Sequence, residues 1–202
     1  MKNMLRDAAI LFAITVIAGA VLGFVYDVTK EPIAQQEARA KQEACQEVFA
    51  DASAFETVAE AGDASYGAIL EAGYDKASIE EVMKAQSSTG DVLGYVMIVT
   101  SHDGYNGDIR FSMGIRMDGT LNGISLLAIS ETPGLGMRAE EVLKPQFAEK
   151  QASVFAYTKT GAASEDQIDA ISGATITTNA VVEAVNAGLC YFQNVLEGGV
   201  EQ

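Results

Sequence analysis

Ile109-Arg110-Phe111-Ser112-Met113-Gly114-Ile115-Arg116-Met117 sets the fold of this chain, since every second residue in this stretch is apolar. A period of two is typical of a β-strand that buries one face and exposes the other. Asp118-Gly119 follows directly, and this dipeptide favours a tight turn between antiparallel strands. The sequence therefore predicts a hairpin whose second strand runs over Leu121–Ser130.

Two more strands are predicted upstream of this hairpin. Ile79–Ala85 is a plausible strand, and Val92–Thr100 is apolar on both faces. Thr89-Gly90 marks the turn between them. These segments predict an antiparallel meander of three or four strands.

Helices are predicted after the sheet. Met137–Lys150 has a helical pattern that is broken near Pro145, and a short strand is predicted over Ser153–Thr158. Ile176–Leu196 carries a helical stripe of apolar residues that would face a core. The predicted fold class is therefore α+β, an antiparallel meander sheet packed with helices.

The N-terminal part of the chain predicts one transmembrane helix. Ala8–Tyr26 contains 19 residues and no charge, and as a helix it would be about 28 Å long, close to the roughly 30 Å of bilayer hydrocarbon. A cleaved signal peptide is the alternative. Its apolar region would be shorter, about 7–15 residues, and Phe24–Asp27 is a poor cleavage site, so we favour a retained anchor.

Basic residues indicate how this helix is oriented. Lys2 and Arg6 precede it, whereas Lys30 follows it beside two acidic residues. The positive-inside rule then makes residues 1–7 a cytoplasmic tail and places the main domain on the extracytoplasmic side. Residues 27–77 are predicted to form a stalk helix and an irregular segment, and residues 78–202 the main domain.

The charge of the chain limits its ligands. The formal net charge is −15, which disfavours binding to nucleic acid. A phosphorylated cofactor would have to be held by local N–H groups or by a covalent bond. The sequence has no Cys-x-x-Cys pair, and we predict no metal site.

The segment Asp169-Ala170-Ile171-Ser172-Gly173-Ala174-Thr175 lies directly before the last predicted helix. The first N–H groups of a helix have no intrahelical partner, and the helix dipole favours an anion. The small Gly173 and Ala174 would let a phosphate approach the backbone. A hydroxyl at this position has a simpler interpretation as a helix cap.

A second motif, Glu131-Thr132-Pro133-Gly134-Leu135-Gly136, follows the predicted hairpin. Pro133 and Gly134 suit positions i+1 and i+2 of a type II turn. Gly136 has no Cβ and would let a flat ring approach the backbone. Turn chemistry by itself favours a surface turn that merely ends a strand.

The two motifs together resemble those of the FMN-binding domain family. Gly94-Tyr95 and Gly104-Tyr105-Asn106-Gly107 resemble two further motifs of the family, so that the match runs from about Gly94 to Leu196. With one N-terminal span and this length, the chain resembles the G subunits of Rnf electron transport complexes. Ser130 departs from the family pattern, which often has His or Asn there.

This resemblance implies a function. The chain would be an electron-carrying subunit of a membrane-bound, ion-translocating ferredoxin:NAD⁺ oxidoreductase complex, with no catalytic residue of its own. Its FMN would be joined to Thr175 through a phosphoester, formed by a separate Mg²⁺-dependent flavin transferase. The other membrane and peripheral subunits of the complex would be its partners.

The resemblance also assigns roles to the residues of the motifs. Ser172, Gly173 and Ala174 would open the backbone to the phosphate, and Asp169 would orient the Thr175 hydroxyl or bind a metal during attachment. The flavin ring would be bordered by the residues of two loops, Glu131, Thr132, Pro133, Gly134, Leu135 and Gly136 in one and Tyr105, Asn106 and Gly107 in the other.

Three alternatives remain open at this stage. The flavin subunit of the Na⁺-pumping NADH:quinone reductase shares the motif but is usually longer. A membrane-tethered binding or scaffold domain without cofactor would use Thr175 only as a cap. An autonomous flavoenzyme is the third, although no Gly-x-Gly-x-x-Gly fingerprint follows a predicted strand.

Overall fold

The computed structural model describes residues 2–60 and 67–197. The chain divides into two compact units, Met1–Ala40 and Lys41–Gln202. Residues 198–202, the end of the predicted main domain, lie outside the described residues, as do residues 61–66 of the segment predicted to be irregular.

Helix α1 runs over Lys2–Val48. Its residues up to Ala40 belong to the first unit, and the remaining ones belong to the second unit. By length and composition α1 is able to cross a membrane, and it includes the predicted apolar span. The helix passes through Pro32 without a break. Residues around this proline are mostly Gln, Glu, Ala, Arg and Lys, which are strong helix formers.

The second unit is built on a five-stranded antiparallel sheet in which the strands follow chain order. This arrangement confirms the predicted α+β class and the meander. The strands are β1 (Ala54–Glu60), β2 (Ala77–Gln86), β3 (Val92–Ser101), β4 (Ile109–Arg116) and β5 (Leu121–Ile129).

Strand β1 lies in the part of residues 27–77 that was predicted to be an irregular segment, and it gives the sheet five strands where three or four were predicted. It pairs with β2 from Ala54 opposite Gln86 to Glu60 opposite Glu81. As an edge strand it has Glu56, Thr57 and Val58 exposed in succession, so it lacks the alternation that predicts a half-buried strand. The short helix α2, Gly67–Glu71, also lies in this segment.

The elements after the sheet are short until the last helix. The predicted helix Met137–Lys150 is divided between two 3₁₀ turns and one turn of α-helix, and the predicted strand near Ser153 is reduced to three residues in a parallel pair. The bounds are Gly136–Arg138 and Lys144–Phe147 for the 3₁₀ turns, Ala139–Val142 for α3, Ala156–Thr158 for β6, Gln167–Asp169 for β7 and Thr175–Tyr191 for α4, which ends in a π turn at Phe192–Leu196.

Both faces of the sheet are covered, which explains why β3 is apolar on both sides. Helix α4 packs on one face, and its Gly188 is so close to Met113 that a Cβ there would lie 2.2 Å from the sulfur. Cys45, Val48 and Phe49, at the end of α1, pack on the other face with Val96 and Ile98 of β3. The sheet thus forms the middle layer, and α4 is held against it along most of its length.

Candidate functional site

A cavity of about 470 Å³ lies where the start of α4 meets the loop after β5 and the loop between β3 and β4. This volume falls in the range of small-molecule sites, roughly 300–1,000 Å³. The lining residues are Tyr105, Glu131, Thr132, Leu135, Gly136, Gly173, Ala174, Thr175, Ile176 and Thr177.

The structure brings together most of the residues that the sequence singled out. Eight of the ten lining residues belong to the predicted set. Ile176 and Thr177 were not predicted, although they are the next two residues of the first helical turn after Thr175. Six predicted residues do not line the cavity, namely Asn106, Gly107, Pro133, Gly134, Asp169 and Ser172.

The loop after β5 has the turn that its sequence predicts. The Leu135 N–H donates to the Thr132 carbonyl at 3.1 Å, and Gly134 has φ +76°, as position i+2 of a type II turn requires. Pro133 and Gly134 therefore shape the loop from outside the cavity. They turn the chain so that Leu135 and Gly136 face inward.

The segment before α4 makes a second turn. The Ala174 N–H donates to the Ile171 carbonyl at 3.0 Å, and Gly173 between them has φ +81°. A Cβ on Gly173 would lie 3.1 Å from Cδ2 of Leu135. The two turns consequently touch, and Ser172 lies on the exposed side of the second one.

Three threonines in the first turn of α4 have different surroundings. The Thr177 hydroxyl donates to Oε2 of Glu131 at 2.9 Å, and the Thr178 hydroxyl donates to the Ala174 carbonyl at 2.9 Å. Thr175 is half-buried and lines the cavity. Within the described part of the chain its hydroxyl has no hydrogen-bond partner.

Thr175 does not act as a helix cap. The N-cap of α4 is Ala174, and no side chain caps this helix end. The first N–H groups of α4 therefore lack intrahelical partners, and the residues that carry them, Thr175 to Thr177, line the cavity. Together with the helix dipole they favour an anionic group beside the Thr175 hydroxyl.

Glu131 links the three segments around the cavity. Its side chain is buried, at 4% exposure. Oε1 accepts a hydrogen bond from the Asn106 N–H at 3.2 Å, and Oε2 accepts the one from Thr177. A carboxylate has about four acceptor positions, so Glu131 retains capacity for a donor within the cavity.

The loop between β3 and β4 contributes Tyr105, which is 67% exposed at the cavity mouth. Its neighbour Asn106 fastens the loop, because Nδ2 donates to the Ser130 carbonyl at 2.8 Å. This bond involves only the backbone carbonyl of Ser130. It does not depend on the side chain at this position, where the family often has His or Asn. Leu135 and Ile176, each about half exposed, add apolar surface to the same rim.

Asp169 has a local structural role in the described residues. Its Oδ1 accepts the Ala162 N–H at 2.6 Å, and its own N–H donates to Oε1 of Gln146 at 2.7 Å. The first bond closes the loop between β6 and β7, and the second joins β7 to the 3₁₀ turn Lys144–Phe147. The part of the chain that the structure describes contains no group of three His, Cys, Asp or Glu residues able to hold a metal ion.

Comparisons with known proteins agree with this geometry. The model of the FMN-binding domain matches residues 104–189, which include the whole cavity lining, and the model of the RnfG N-terminal region matches residues 1–48. The G subunit of the Na⁺-translocating ferredoxin:NAD⁺ oxidoreductase complex of Acetobacterium woodii is 35% identical over 96% of this chain and 94% of its own length.

Two further matches are more distant. The G subunit of the ion-translocating oxidoreductase complex of Methanosarcina acetivorans is 30% identical over 94% of this chain and 95% of its own length. The crystal structure of Shewanella oneidensis NqrC aligns with a TM-score of 0.47 at 22% identity, over 56% of this chain and 57% of that chain.

Proposed function

The chain belongs to the family of G subunits of ion-translocating oxidoreductase complexes, and on this basis we propose that it carries electrons in such a complex on an FMN joined to Thr175 by a phosphoester. The complex is of the ferredoxin:NAD⁺ oxidoreductase type. The main support is the Thr175 hydroxyl, which lies in the cavity of the FMN-binding domain and has no hydrogen-bond partner within the described residues.

The residues around Thr175 fit the phosphate end of FMN. Gly173 and Ala174 present little side chain, and the uncapped start of α4 offers N–H donors to an anion. The strongly acidic chain gives no general attraction for such a ligand, because its net charge is −15. Local N–H donors and a covalent bond therefore hold the phosphate, because the overall electrostatic field of the chain does not attract it.

The rest of the cavity fits the ring and the ribityl chain. Tyr105, Leu135 and Ile176 offer apolar and aromatic surface to the isoalloxazine. Glu131 has acceptor capacity for an N–H of the ring or a hydroxyl of the ribityl chain. Bound FMN supplies the redox chemistry, since it exchanges one or two electrons, and the protein supplies attachment, orientation and local charge.

We propose that α1 anchors the subunit in the membrane with residues 1–7 in the cytoplasm and the flavin on the extracytoplasmic side. The distribution of Lys2, Arg6 and Lys30 supports this orientation. The other subunits of the complex are the electron partners. Trypsin added to intact cells, with the outer membrane permeabilised where there is one, should digest the flavin domain, and full protection of the domain would contradict the orientation.

A covalent bond has a physical advantage in this location. Free FMN outside the cytoplasm is dilute, whereas a tether replaces its concentration by a high effective one. Attachment by a separate Mg²⁺-dependent flavin transferase leaves Thr175 with no part in turnover.

The decisive experiment is co-expression of the chain with a flavin transferase, followed by a denaturing gel under ultraviolet light. We expect a fluorescent band for the wild-type chain and none for Thr175→Ala. Thr160→Ala is the matched control, because Thr160 is an exposed threonine outside both motifs and outside the cavity, and it should remain fluorescent. Intact mass should show one FMN adduct.

The competing functions give different results in the same experiment. A dark wild-type band of the correct mass would favour a tethered scaffold domain without cofactor. A fluorescent band for Thr175→Ala would show that the phosphoester forms on another residue. Purified chain that oxidised NADH with a dye, without the other subunits, would indicate an autonomous flavoenzyme instead of an electron carrier.

A further inference from the structure

The hydroxyl of Thr178 lies beneath the turn that leads into α4. It accepts a hydrogen bond from the Ile171 N–H at 3.1 Å and donates one to the Ala174 carbonyl at 2.9 Å. Thr178 is fully buried and does not line the cavity. A single side chain therefore joins the two ends of the turn 171–174 from inside the domain.

Only one of these two bonds is ordinary for a helix. A threonine within a helix often donates to the carbonyl four residues before it, and for Thr178 this is the Ala174 carbonyl. Ile171, in contrast, lies outside α4 and is itself buried, at 1% exposure. Thr178 thus provides the acceptor for a buried N–H group that takes no part in the hydrogen bonds of the helix.

The other side of this turn faces the cavity. Gly173 and Ala174 line the cavity together with Thr175, which is the first residue of α4. Gly173 also lies close to Leu135, since a Cβ on it would be 3.1 Å from Cδ2. A shift of the turn away from Thr178 would therefore move the backbone that carries Thr175.

We propose that Thr178 is a positioning residue for flavin attachment, in that its hydroxyl holds the turn 171–174 in the shape that presents the Thr175 hydroxyl to the flavin transferase. This inference rests on the proposed function, because it concerns the residue to which FMN is attached. Its structural part, the support of the turn, depends only on contacts within the chain and is tested separately.

The reaction that this placement assists is a phosphoryl transfer. Oγ of Thr175 forms a bond to the phosphorus that carries the riboflavin, and the P–O bond to the leaving group breaks. A flavin dinucleotide balances this step, because its pyrophosphate bond breaks, the nucleoside monophosphate leaves with the bonding electrons, and the hydroxyl proton passes to a base of the transferase. The attacking and leaving oxygens must lie roughly in line, so a displacement of Thr175 by about 1 Å slows the step up to about 100-fold.

Replacements of Thr178 separate the effect of its hydroxyl from that of its shape. Thr178→Val keeps a branched side chain and removes both hydrogen bonds, whereas Thr178→Ser keeps the hydroxyl. The full chain in detergent is incubated with the transferase and FAD, and the fluorescent adduct is followed over time. We expect the maximal rate of attachment to fall about 10- to 100-fold in Thr178→Val and to remain close to that of wild type in Thr178→Ser.

Thr100→Val is the matched control, because it makes the same chemical change at another buried threonine. The Thr100 hydroxyl donates to Oε1 of Glu80 at 2.6 Å, and Thr100 lies on β3, outside both motifs and outside the cavity. This variant should unfold at a lower urea concentration than wild type and acquire FMN at the wild-type rate. A rate that falls in proportion to stability in both variants would overturn the proposal.

Two further results would also overturn it. One is a wild-type rate in Thr178→Val. The other is an effect confined to the transferase concentration that gives the half-maximal rate, which would make Thr178 a docking contact. If Thr178→Val does not fold, Thr178→Cys takes its place, because a thiol is a weak donor and acceptor, and it should still lower the maximal rate.

Hydrogen exchange tests the turn without a flavin. In chain produced without the transferase, protection of the Ile171 amide should fall about tenfold in Thr178→Val and be kept in Thr178→Ser. Unchanged protection in Thr178→Val would refute the support of the turn, even in a chain that acquires FMN on Thr175. Lost protection in a chain whose wild type never acquires FMN would refute the proposed function, and with it the role of Thr178 in attachment, and would leave the structural part intact.

Discussion

Single residues around Glu131 show how little space the site leaves. Two glycines lie against its carboxylate, and a Cβ would be 2.9 Å from Oε1 if it were added at Gly104 and 2.8 Å from Oε2 if it were added at Gly136. Such distances are well inside van der Waals contact. Glycine at these two positions is what allows a buried carboxylate to bond both the Tyr105 loop and α4.

We predict that Gly136→Ala disturbs the site. The added methyl would lie 2.6 Å from Oγ1 of Thr177 as well as against Glu131, and overpacking of this kind costs about 1–3 kcal/mol. Urea unfolding should show the loss of stability, and the gel should show little covalent FMN. Gly67→Ala, where nothing lies within 4 Å, is the control and should behave as wild type. Full flavin loading in Gly136→Ala would contradict the inference that a methyl group does not fit at position 136.

The end of helix α1, which was predicted as a stalk, belongs to the second unit. Phe49, directly after α1, is fully buried and lies over two glycines of the sheet, since a Cβ on Gly94 would be 2.7 Å from its ring and one on Gly114 would be 3.0 Å away. Ser112 Oγ donates to the Ala44 carbonyl at 3.0 Å. The last turns of α1 therefore cover one face of the sheet.

Removal of this side chain should destabilise the whole domain. Phe49→Ala would leave a cavity over Gly94 and Gly114, and such truncations cost about 3–5 kcal/mol. Urea unfolding of the full chain in detergent should show a midpoint far below that of wild type. Val58→Ala is the comparison, because Val58 is 40% exposed on the edge strand, and it should change little. Equal midpoints for the two variants would mean that Phe49 does not stabilise the sheet.

Across the whole molecule, a few ion pairs join distant segments of an acidic chain. Lys144 pairs with Glu47 of α1 at 2.7 Å, and Lys41 of α1 pairs with Glu81 of β2. Burial alone would raise the pKa of each carboxyl group, but the hydrogen bonds from Lys144 and Ser125 lower the pKa of Glu47. Lys41 and Thr57 likewise lower the pKa of Glu81.

These shifts predict how stability depends on pH. A carboxyl group with a lowered pKa in the folded state stabilises the protein above its unfolded pKa, about 4.3 for Glu, and this contribution disappears as the pH falls through the folded pKa. Stability should therefore decrease below about pH 4.5. Thermal unfolding at pH 7, 5, 4 and 3 measures the decrease, and the double variant Glu47→Gln, Glu81→Gln should show a smaller one. An identical decrease in the double variant would assign the effect to other groups.

Local sequence was enough to predict those parts of the protein that depend on neighbouring residues. Alternation and the Asp118-Gly119 turn predicted the central hairpin, and Pro133-Gly134 predicted the type II turn with φ +76° at Gly134. The two motifs also named Thr175 and most of the cavity lining. The hairpin and the turn depend on backbone preferences within a few residues, which a sequence displays directly, whereas Thr175 and the cavity lining were predicted from the resemblance to the FMN-binding domain family.

The remaining features were visible only once the chain was folded. Edge strand β1 exposes consecutive residues, so its place in the sheet depends on pairing with β2 and not on its own pattern. The bond between Thr177 and Glu131 joins residues 46 positions apart, and Phe49 covers Gly94 and Gly114, which lie farther along the chain by 45 and 65 positions. Contacts between distant residues leave no period in a sequence, because they arise only after the chain has packed.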